Sequence, residues 1–299
     1  MRKHPVMSGL LLLVALGFVF YLIFYRAGVQ TGSAGTKRFS LNDKIGVLPI
    51  EGLITDSFKI NQNIDEFAED SSIVAVVVRI DSPGGSVGAA QEIYDAIIEL
   101  KKKKKVVVSM GSIAASGGLL IACAGDKIVA NPGTITGSIS AIMQFANLEE
   151  LLKKVGVKSS VVKSGPYKDI GSPMREMTPE ERLIVQELVD DIYNQFIDAI
   201  VRNRKLTREQ VVAIADGRVF SGRKAKEYGL VDELGNMAAA AKLASVLAGK
   251  NGQYDLVFPK KASRGVFDLM FDSAANSLNQ AIREKAEATG TGVSYLYQP

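Results

Sequence analysis

Residues Ile73–Ile80, with the sequence IVAVVVRI, constrain the fold more than any other stretch of the chain. β-Branched side chains at this density disfavour a helix and favour an extended strand. The run shows no alternation of polar and apolar positions, so both faces of that strand have to be covered. A strand buried on both sides belongs in a sheet flanked by helices, and the neighbouring segments agree. Ile45–Ile50 reads as another buried strand, and Asn61–Glu69 as a short helix. Val87–Leu100 places Val87, Ala90, Ile93, Tyr94, Ile97 and Ile98 at helical spacing. Lys105–Ser109 reads as a strand, Ser116–Ala124 as a helix of small apolar residues, Lys127–Ala130 as a strand and Val157–Lys163 as a further one. Strands alternating with helices imply an α/β fold with a parallel sheet and crossover helices. In such sheets the reactive loops gather at the carboxyl ends of the strands. The loops Asp81–Ser86 and Met110–Gly118 both follow strands, so they are expected side by side.

Beyond Thr178 the pattern turns helical. Thr178-Pro179-Glu180-Glu181 combines a cap, a proline at the first helical position and early acids, and predicts a long helix to about Asn203. Thr207 caps another. Asp216–Gly222 reads as a turn followed by a short helix and Gly229, and Asn236–Leu247 as an alanine-rich helix. Arg264–Ala288 has the pattern of an amphipathic tail helix.

At the other end, Arg2, Lys3 and His4 precede Val6–Tyr25, which carries no charged residue. Such a run is long enough to span a bilayer as a helix. No A-x-A site directly follows Tyr25, so a retained anchor is expected rather than a cleaved leader. The positive flank places the N-terminus inside and the remainder outside. The reading divides the chain into a transmembrane anchor (1–26), a Gly/Ser/Thr-rich linker (27–43), a main domain (44–249) and a C-terminal extension (250–299).

The 299 residues include one histidine, one cysteine and a net charge of +4. A lone cysteine makes no intrachain disulfide, and one His with one Cys makes no zinc site of the usual N/S type, which sets zinc hydrolysis aside. Carboxylate-only Mg²⁺ or Ca²⁺ sites stay open, though no EF-hand loop is present. The mild charge gives no footprint for nucleic acid. Ser–His–Asp and Cys–His catalysis need a histidine, and His4 precedes the apolar run. Cys123 therefore reads as a small buried residue, and the base of any covalent hydrolase here would be Lys, Asp or Glu. The run Lys101–Lys105 follows a helix and reads as a solvated cluster matched to the helix dipole rather than a lipid-binding patch.

Two loops carry chemistry. Gly111-Ser-Ile-Ala-Ala-Ser116-Gly-Gly118 would let a substrate backbone approach closely, and would put a serine at a helix start, where free N–H groups favour negative charge. The same residues also suit a tight strand-to-helix turn. Asp81-Ser-Pro-Gly-Gly-Ser86 offers glycines with exposed N–H groups, as an oxyanion hole requires. It equally suits a phosphate-cradling turn or an ordinary strand-to-helix loop.

Five motifs together decide between these readings. Arg79–Val87 and Gly111–Gly118, followed in order by Thr136-Gly-Ser138-Ile, Lys163-Ser-Gly-Pro-Tyr-Lys168-Asp and Asp216-Gly-Arg-Val-Phe-Ser-Gly222, closely resemble the signal peptide peptidase A family, also called protease IV. The resemblance covers about Ile45 to Gly235. It implies a Clp-protease-like fold, related to the crotonases, and a Ser–Lys endopeptidase, which calls for no metal and no cofactor. Ser116 matches the nucleophile, Lys168 the general base and Ser138 the hydroxyl that helps hold the lysine. Gly84 or Gly85, with the N–H of Gly117, matches the oxyanion hole, and Lys163 is the reserve base. Where the family often has two aromatics after Ser-Gly-Gly, this chain has Leu119 and Leu120, which alters pocket lining. The resemblance further implies apolar peptide substrates such as signal-peptide remnants, an extracytoplasmic domain on the cell (inner) membrane, and a homo-oligomer whose sites are shared between subunits. The competing readings are a crotonase-like acyl enzyme and a catalytically inactive membrane scaffold.

Overall fold

The computed structural model describes residues 43–251 and 253–260, together with Phe18. The apolar run Val6–Tyr25 and the proposed tail helix lie outside the described residues, Phe18 apart. Among the described residues no helix is long and apolar enough to cross a membrane.

Three strands form the middle of the sheet: β1 (Asp43–Glu51), β2 (Ile73–Ser82) and β3 (Lys105–Ala115). Their register is parallel, with Ile45 opposite Ala75 and Ala75 opposite Lys105. Between them run α1 (Phe58–Glu69) and α2 (Val87–Lys103). After β3 come α3 (Gly117–Cys123), β4 (Lys127–Ala130), β5 (Ile135–Gly137) and α4 (Glu149–Lys154). The chain then forms α5 (Pro179–Asn203), α6 (Arg208–Val212), β6 (Val219–Ser221), α7 (Gly222–Glu227), β7 (Glu233–Leu234), α8 (Met237–Leu247) and β8 (Tyr254–Val257).

The apolar run that opened the sequence analysis is divided between two cores, as its period-two geometry requires. Val76, Val78 and Ile80 face the larger core, shared with Ile93, Ile97, Leu119, Ile121 and Ile197. Ala75 and Val77 face the other way and pack on Ala240, Ala241 and Ala244 of α8. Helices therefore cover both faces, and the unbroken run of β2 follows from that.

Four features differ from the sequence expectation. The sheet is mixed rather than wholly parallel, because β5 and β6 pair antiparallel. Val157–Lys163, read as a strand, forms no regular element and is exposed. Its valines give local strand preference, yet it pairs with no strand among the described residues. β3 runs six residues beyond Ser109, because its two halves have different partners: Val107–Met110 pairs with β4, and Ile113–Ala115 with β5. Finally, β8 pairs with β1, so the sheet continues past Gly249.

The change of partner along β3 coincides with a register shift against β2 between Ile80 and Ser82. The Asp81 carboxylate occupies that irregularity, accepting the Ile113 N–H at 3.1 Å. A methyl group on Gly111 would lie 2.5 Å from the same carboxylate. This offset carries the end of β3 out to the loop that follows β2.

Helix α5 starts where its sequence predicts. The Thr178 side chain accepts the Glu181 N–H, and the Glu181 carboxylate accepts the Thr178 N–H, a complete capping box. Thr178→Ala should destabilise the fold by about 1 kcal/mol, and urea unfolding followed by circular dichroism measures it.

Candidate active site

The loop after β2 is shaped by close backbone contact. Gly84 has φ +104°. Gly85 forms a parallel bridge with Ile54, in which Ile54 N–H donates to Gly84 O at 2.9 Å and Ser86 N–H to Ile54 O at 2.7 Å. These bonds use the residues flanking Gly85 and leave its own N–H directed away from Ile54. The Gly84 N–H is already engaged, donating to the buried Ser82 Oγ at 3.1 Å. A methyl group on Gly85 would lie 2.1 Å from Ile54 O, so no larger residue fits.

The turn from β3 into α3 meets this loop. Ser116 has φ 54° and ψ −121°, a conformation that L-residues rarely adopt. Its N–H donates to Gly137 O at 2.9 Å, and the next residue of that segment, Ser138, donates its N–H to Arg218 O at 2.8 Å. Ser138 has φ 52°, and among the described residues it and Ser116 are the two non-glycine residues with positive φ. Backbone strain of this kind costs on the order of 1–3 kcal/mol per residue and persists only where the surroundings over-determine it. Both serines are half-buried. The segment Asp216–Gly222 supplies part of that enforcement. Arg218 pairs with Asp216 through Nε at 2.7 Å, its carbonyl receives Ser138, and the Phe220 ring closes over Gly137, where a methyl group would meet it at 2.8 Å.

Beside Ser116 lies a cavity of about 330 Å³. Val87, Ala90, Leu120, Phe196 and Ala199 give it apolar walls, and Gln91 Nε2 donates to Gln195 Oε1 at 2.7 Å, joining α2 to α5. At Ser140 and Ala141 it continues into a larger groove between residues 140–147, residues 171–177 and α5. The N–H groups of Gly85 and Gly117 lie close together at the cavity's edge: a methyl group on Gly117 would be 3.5 Å from Gly85 N. Neither N–H has a hydrogen-bond partner among the described residues.

The lysines of the fourth motif behave differently. Lys168 is exposed and does not line the Ser116 cavity. Its amine has no hydrogen bond or ion pair among the described residues. Lys163, the reserve base of the sequence reading, is committed elsewhere: it donates to Pro166 O at 2.7 Å and pairs with Asp169. Within a single chain the structure thus brings Ser116, Ser138, Gly84, Gly85 and Gly117 together, and leaves Lys168 outside that group.

Comparison with known proteins gives the arrangement a family. The model of Peptidase family S49 matches residues 98–251, about half of the chain. The chain belongs to peptidase family S49. The model of the Clp protease family matches residues 60–135, in keeping with the α/β Clp-protease-like fold. A Synechocystis sp. protein named as a protease is 52% identical over 181 residues, which are 60% of this chain and 65% of that one. Protease 4 of Salmonella typhi is 37% identical over 73% of this chain and 35% of its own length. A protein of Enterococcus faecium named as signal peptide peptidase SppA is 34% identical over 65% of this chain and 60% of its own. The chain thus spans at most about two thirds of the length of these three relatives.

Sequence reasoning missed three residues that shape this S49 site. Asp81 was read only as part of a glycine loop. Its signal was a lone acid at the end of an otherwise apolar strand. Glu181 reads in the sequence as an early helix acid and Arg175 has no motif to mark it, yet Arg175 pairs with both Asp169 and Glu181. Hydrogen bonds from Arg175 and Lys163 hold the Asp169 carboxyl well below the usual range. Arg175, followed by the Thr178 N–H, lowers that of Glu181 to about 2. Both carboxylates stay ionised throughout the neutral range.

The glycine geometry gives a test with an internal control. Gly84→Ala places a methyl group 2.8 Å from Gly117 N at a strained φ. It should cost about 1–3 kcal/mol in stability and abolish labelling of Ser116 by a fluorophosphonate probe. At Gly88 a methyl group meets nothing within 4 Å, so Gly88→Ala should label normally and unfold no more easily than the parent.

Proposed function

We propose that the chain is a serine endopeptidase in which Ser116 is the nucleophile and Lys168 of a neighbouring subunit is the general base. The observation that carries this reading is the strained serine pair. Ser116 and Ser138 alone among the described non-glycine residues hold positive φ; Ser116 lines an apolar cavity beside two unpaired N–H groups, and Ser138 follows the residue whose carbonyl accepts the Ser116 N–H. Strain retained at one spot by close backbone packing is a mark of a functional site.

The chemistry follows from the parts. Ser116 Oγ attacks the scissile carbonyl while the lysine amine takes its proton. Negative charge developing on the carbonyl oxygen is met by the N–H groups of Gly85 and Gly117. The lysine then returns the proton to the leaving amine, and the acyl group remains on Ser116. A water activated by the same amine releases it. Gly84 contributes by shape, since its own N–H is occupied. Ser138 orients the lysine.

A free lysine has a pKa near 10.4 and is a poor base at neutral pH; lowering it by ~3 units takes ~4 kcal/mol. Burial supplies such shifts, and in one chain Lys168 is exposed. A second subunit would provide both the burial and the approach to Ser116. The apolar surface for that contact is available. Ile142, Val162, Leu151 and Val155 are each more than half exposed, at 83%, 100%, 57% and 63%, and all lie on the segment between Ser138 and α5. Exposed apolar side chains concentrated in this way mark interaction sites. The assembly is therefore a homo-oligomer with shared sites.

The apolar walls of the Ser116 cavity favour apolar side chains, and the name of the Enterococcus faecium relative points to signal-peptide remnants as substrates. The run Val6–Tyr25 would anchor the enzyme in the cell membrane, with the catalytic domain on the extracytoplasmic side.

Peptide hydrolysis by the domain lacking residues 1–30 tests the assignment. Ser116→Ala and Lys168→Ala should each lose at least about 10³-fold in rate, the scale seen when members of a catalytic unit are removed, while remaining folded and assembled. Mixing the two inactive variants and allowing subunits to exchange should restore part of the activity. Unchanged hydrolysis by Ser116→Ala refutes the protease reading, and unchanged hydrolysis by Lys168→Ala refutes the base.

A further inference from the structure

Lys168 sits in a stretch without regular secondary structure: between α4 and α5, residues 155–178 form neither helix nor strand. Short turn bonds order the part around the lysine: Lys168 N–H to Gly165 O at 3.2 Å, Ile170 N–H to Tyr167 O at 3.1 Å and Ser172 N–H to Asp169 O at 3.0 Å. Bonds this local fix the curvature of a turn but not where the turn points.

Further along, the stretch is tied to residues 145–149: Leu148 N–H donates to Pro173 O at 2.8 Å, Glu176 N–H to Glu149 Oε2 at 3.0 Å, and Gly171 packs on the Phe145 ring. The link from the lysine turn itself to α5 is made by one guanidinium. Arg175 donates to Asp169 through Nε at 2.9 Å and Nη2 at 2.8 Å. It donates to Glu181 through Nη1 at 2.7 Å and also through Nη2. Asp169 is the neighbour of Lys168. Glu181 belongs to the first turn of the 25-residue helix α5 and is fixed there by its second bond, from the Thr178 N–H at 2.9 Å. The carboxylate side chains are 14% and 3% exposed, so these are not loose surface pairs, which contribute little. Charge-assisted, bidentate bonds fix geometry as well as distance. Lysine at position 175 could not span four carboxylate oxygens, because an ammonium lacks the planar fork.

We propose that Arg175 is a positioning residue for the general base: through Asp169 and Glu181 it locks the Lys168 turn to the start of α5 and so sets the direction in which the amine is presented. This rests on the Ser116–Lys168 reading above. Arg175 also lines the groove that continues from the Ser116 cavity, so KM separates a contact with substrate from an effect that passes through Lys168 of its own subunit.

The test compares Arg175→Gln, Arg175→Lys and Glu181→Gln in the assembled enzyme. Glutamine at 181 keeps an acceptor for the Thr178 N–H, so the capping box survives while the ion pair is lost. Misplacing a reacting group by about 1 Å costs about 10²-fold. Arg175→Gln should lower kcat by about that factor with KM changed less than about twofold, Arg175→Lys should recover part of the loss, and Glu181→Gln should lower kcat in the same direction, measured below its own somewhat lowered unfolding temperature. A wild-type kcat in folded Arg175→Gln, or in folded Glu181→Gln should the former not fold, overturns the proposal. So does a rise in KM at constant kcat.

Mixed assemblies separate positioning from general damage. Placed on the Ser116→Ala chain, which supplies the lysine, Arg175→Gln should abolish complementation. Placed on the Lys168→Ala chain, which supplies the serine, it should leave complementation intact. Equal loss in both arrangements overturns the proposal. Should the parent pair fail to complement, shared sites are refuted, and the kcat and KM comparison decides the role of Arg175 by itself.

Discussion

A methyl group on Gly84 would sit 2.8 Å from the Gly117 nitrogen and 2.9 Å from the Ser116 side chain. The loop after β2 and the start of α3 touch backbone to backbone, with no room for a side chain between them. Several features follow from that contact. The Gly85 N–H comes near that of Gly117, Ser116 is held in a backbone conformation it would otherwise leave, and its N–H is directed to Gly137. The contact exists because β2 and β3 are parallel neighbours whose ends are brought level by the register shift around Asp81. A buried sheet resists sliding, since a slip by one residue would turn every side chain to the wrong face. Two apolar cores thus maintain a strained polar site at the edge of the sheet.

The segment bearing Lys168 is organised on the opposite principle. Its central turn is shaped by short backbone bonds and joined to α5 by charge. Lys163, Asp169, Arg175 and Glu181 form one connected set of ion pairs that attaches to α5. A serine fixed by packing and a lysine fixed by a polar network suit a site assembled from two chains.

Much of the framework was legible in the residues. The β-branched run at 73–80, the helical spacing at 87–100 and the Thr178 capping box each report a local preference that burial then reinforces, and the elements form where those signals lie. The strand expected at 157–163 did not form because its valines state a local preference without a partner strand among the described residues. The short strands β5, β6, β7 and β8 left almost no signal. They are two to four residues long and exist because an edge was available. The extension of β3 to Ala115 was hidden for the same reason, since Gly111 and Ser112 have poor strand preference and are held there by Asp81 and β5.

The sequence by itself determined the layered α/β architecture, the absence of a histidine from the domain, and the motifs that single out Ser116 and Lys168, because these depend on composition and on spacing along the chain. The tertiary structure decided which glycine N–H stays free, since Gly84 is used by Ser82 and Gly85 is not. It decided that Lys163 is tied to Asp169, that Arg175 bridges two carboxylates, and that Lys168 is exposed and does not line the cavity beside Ser116. Each of these turns on which groups meet through space across tens of residues. Local spacing carries no record of such meetings, and only the close packing of the sheet and its helices brings them about.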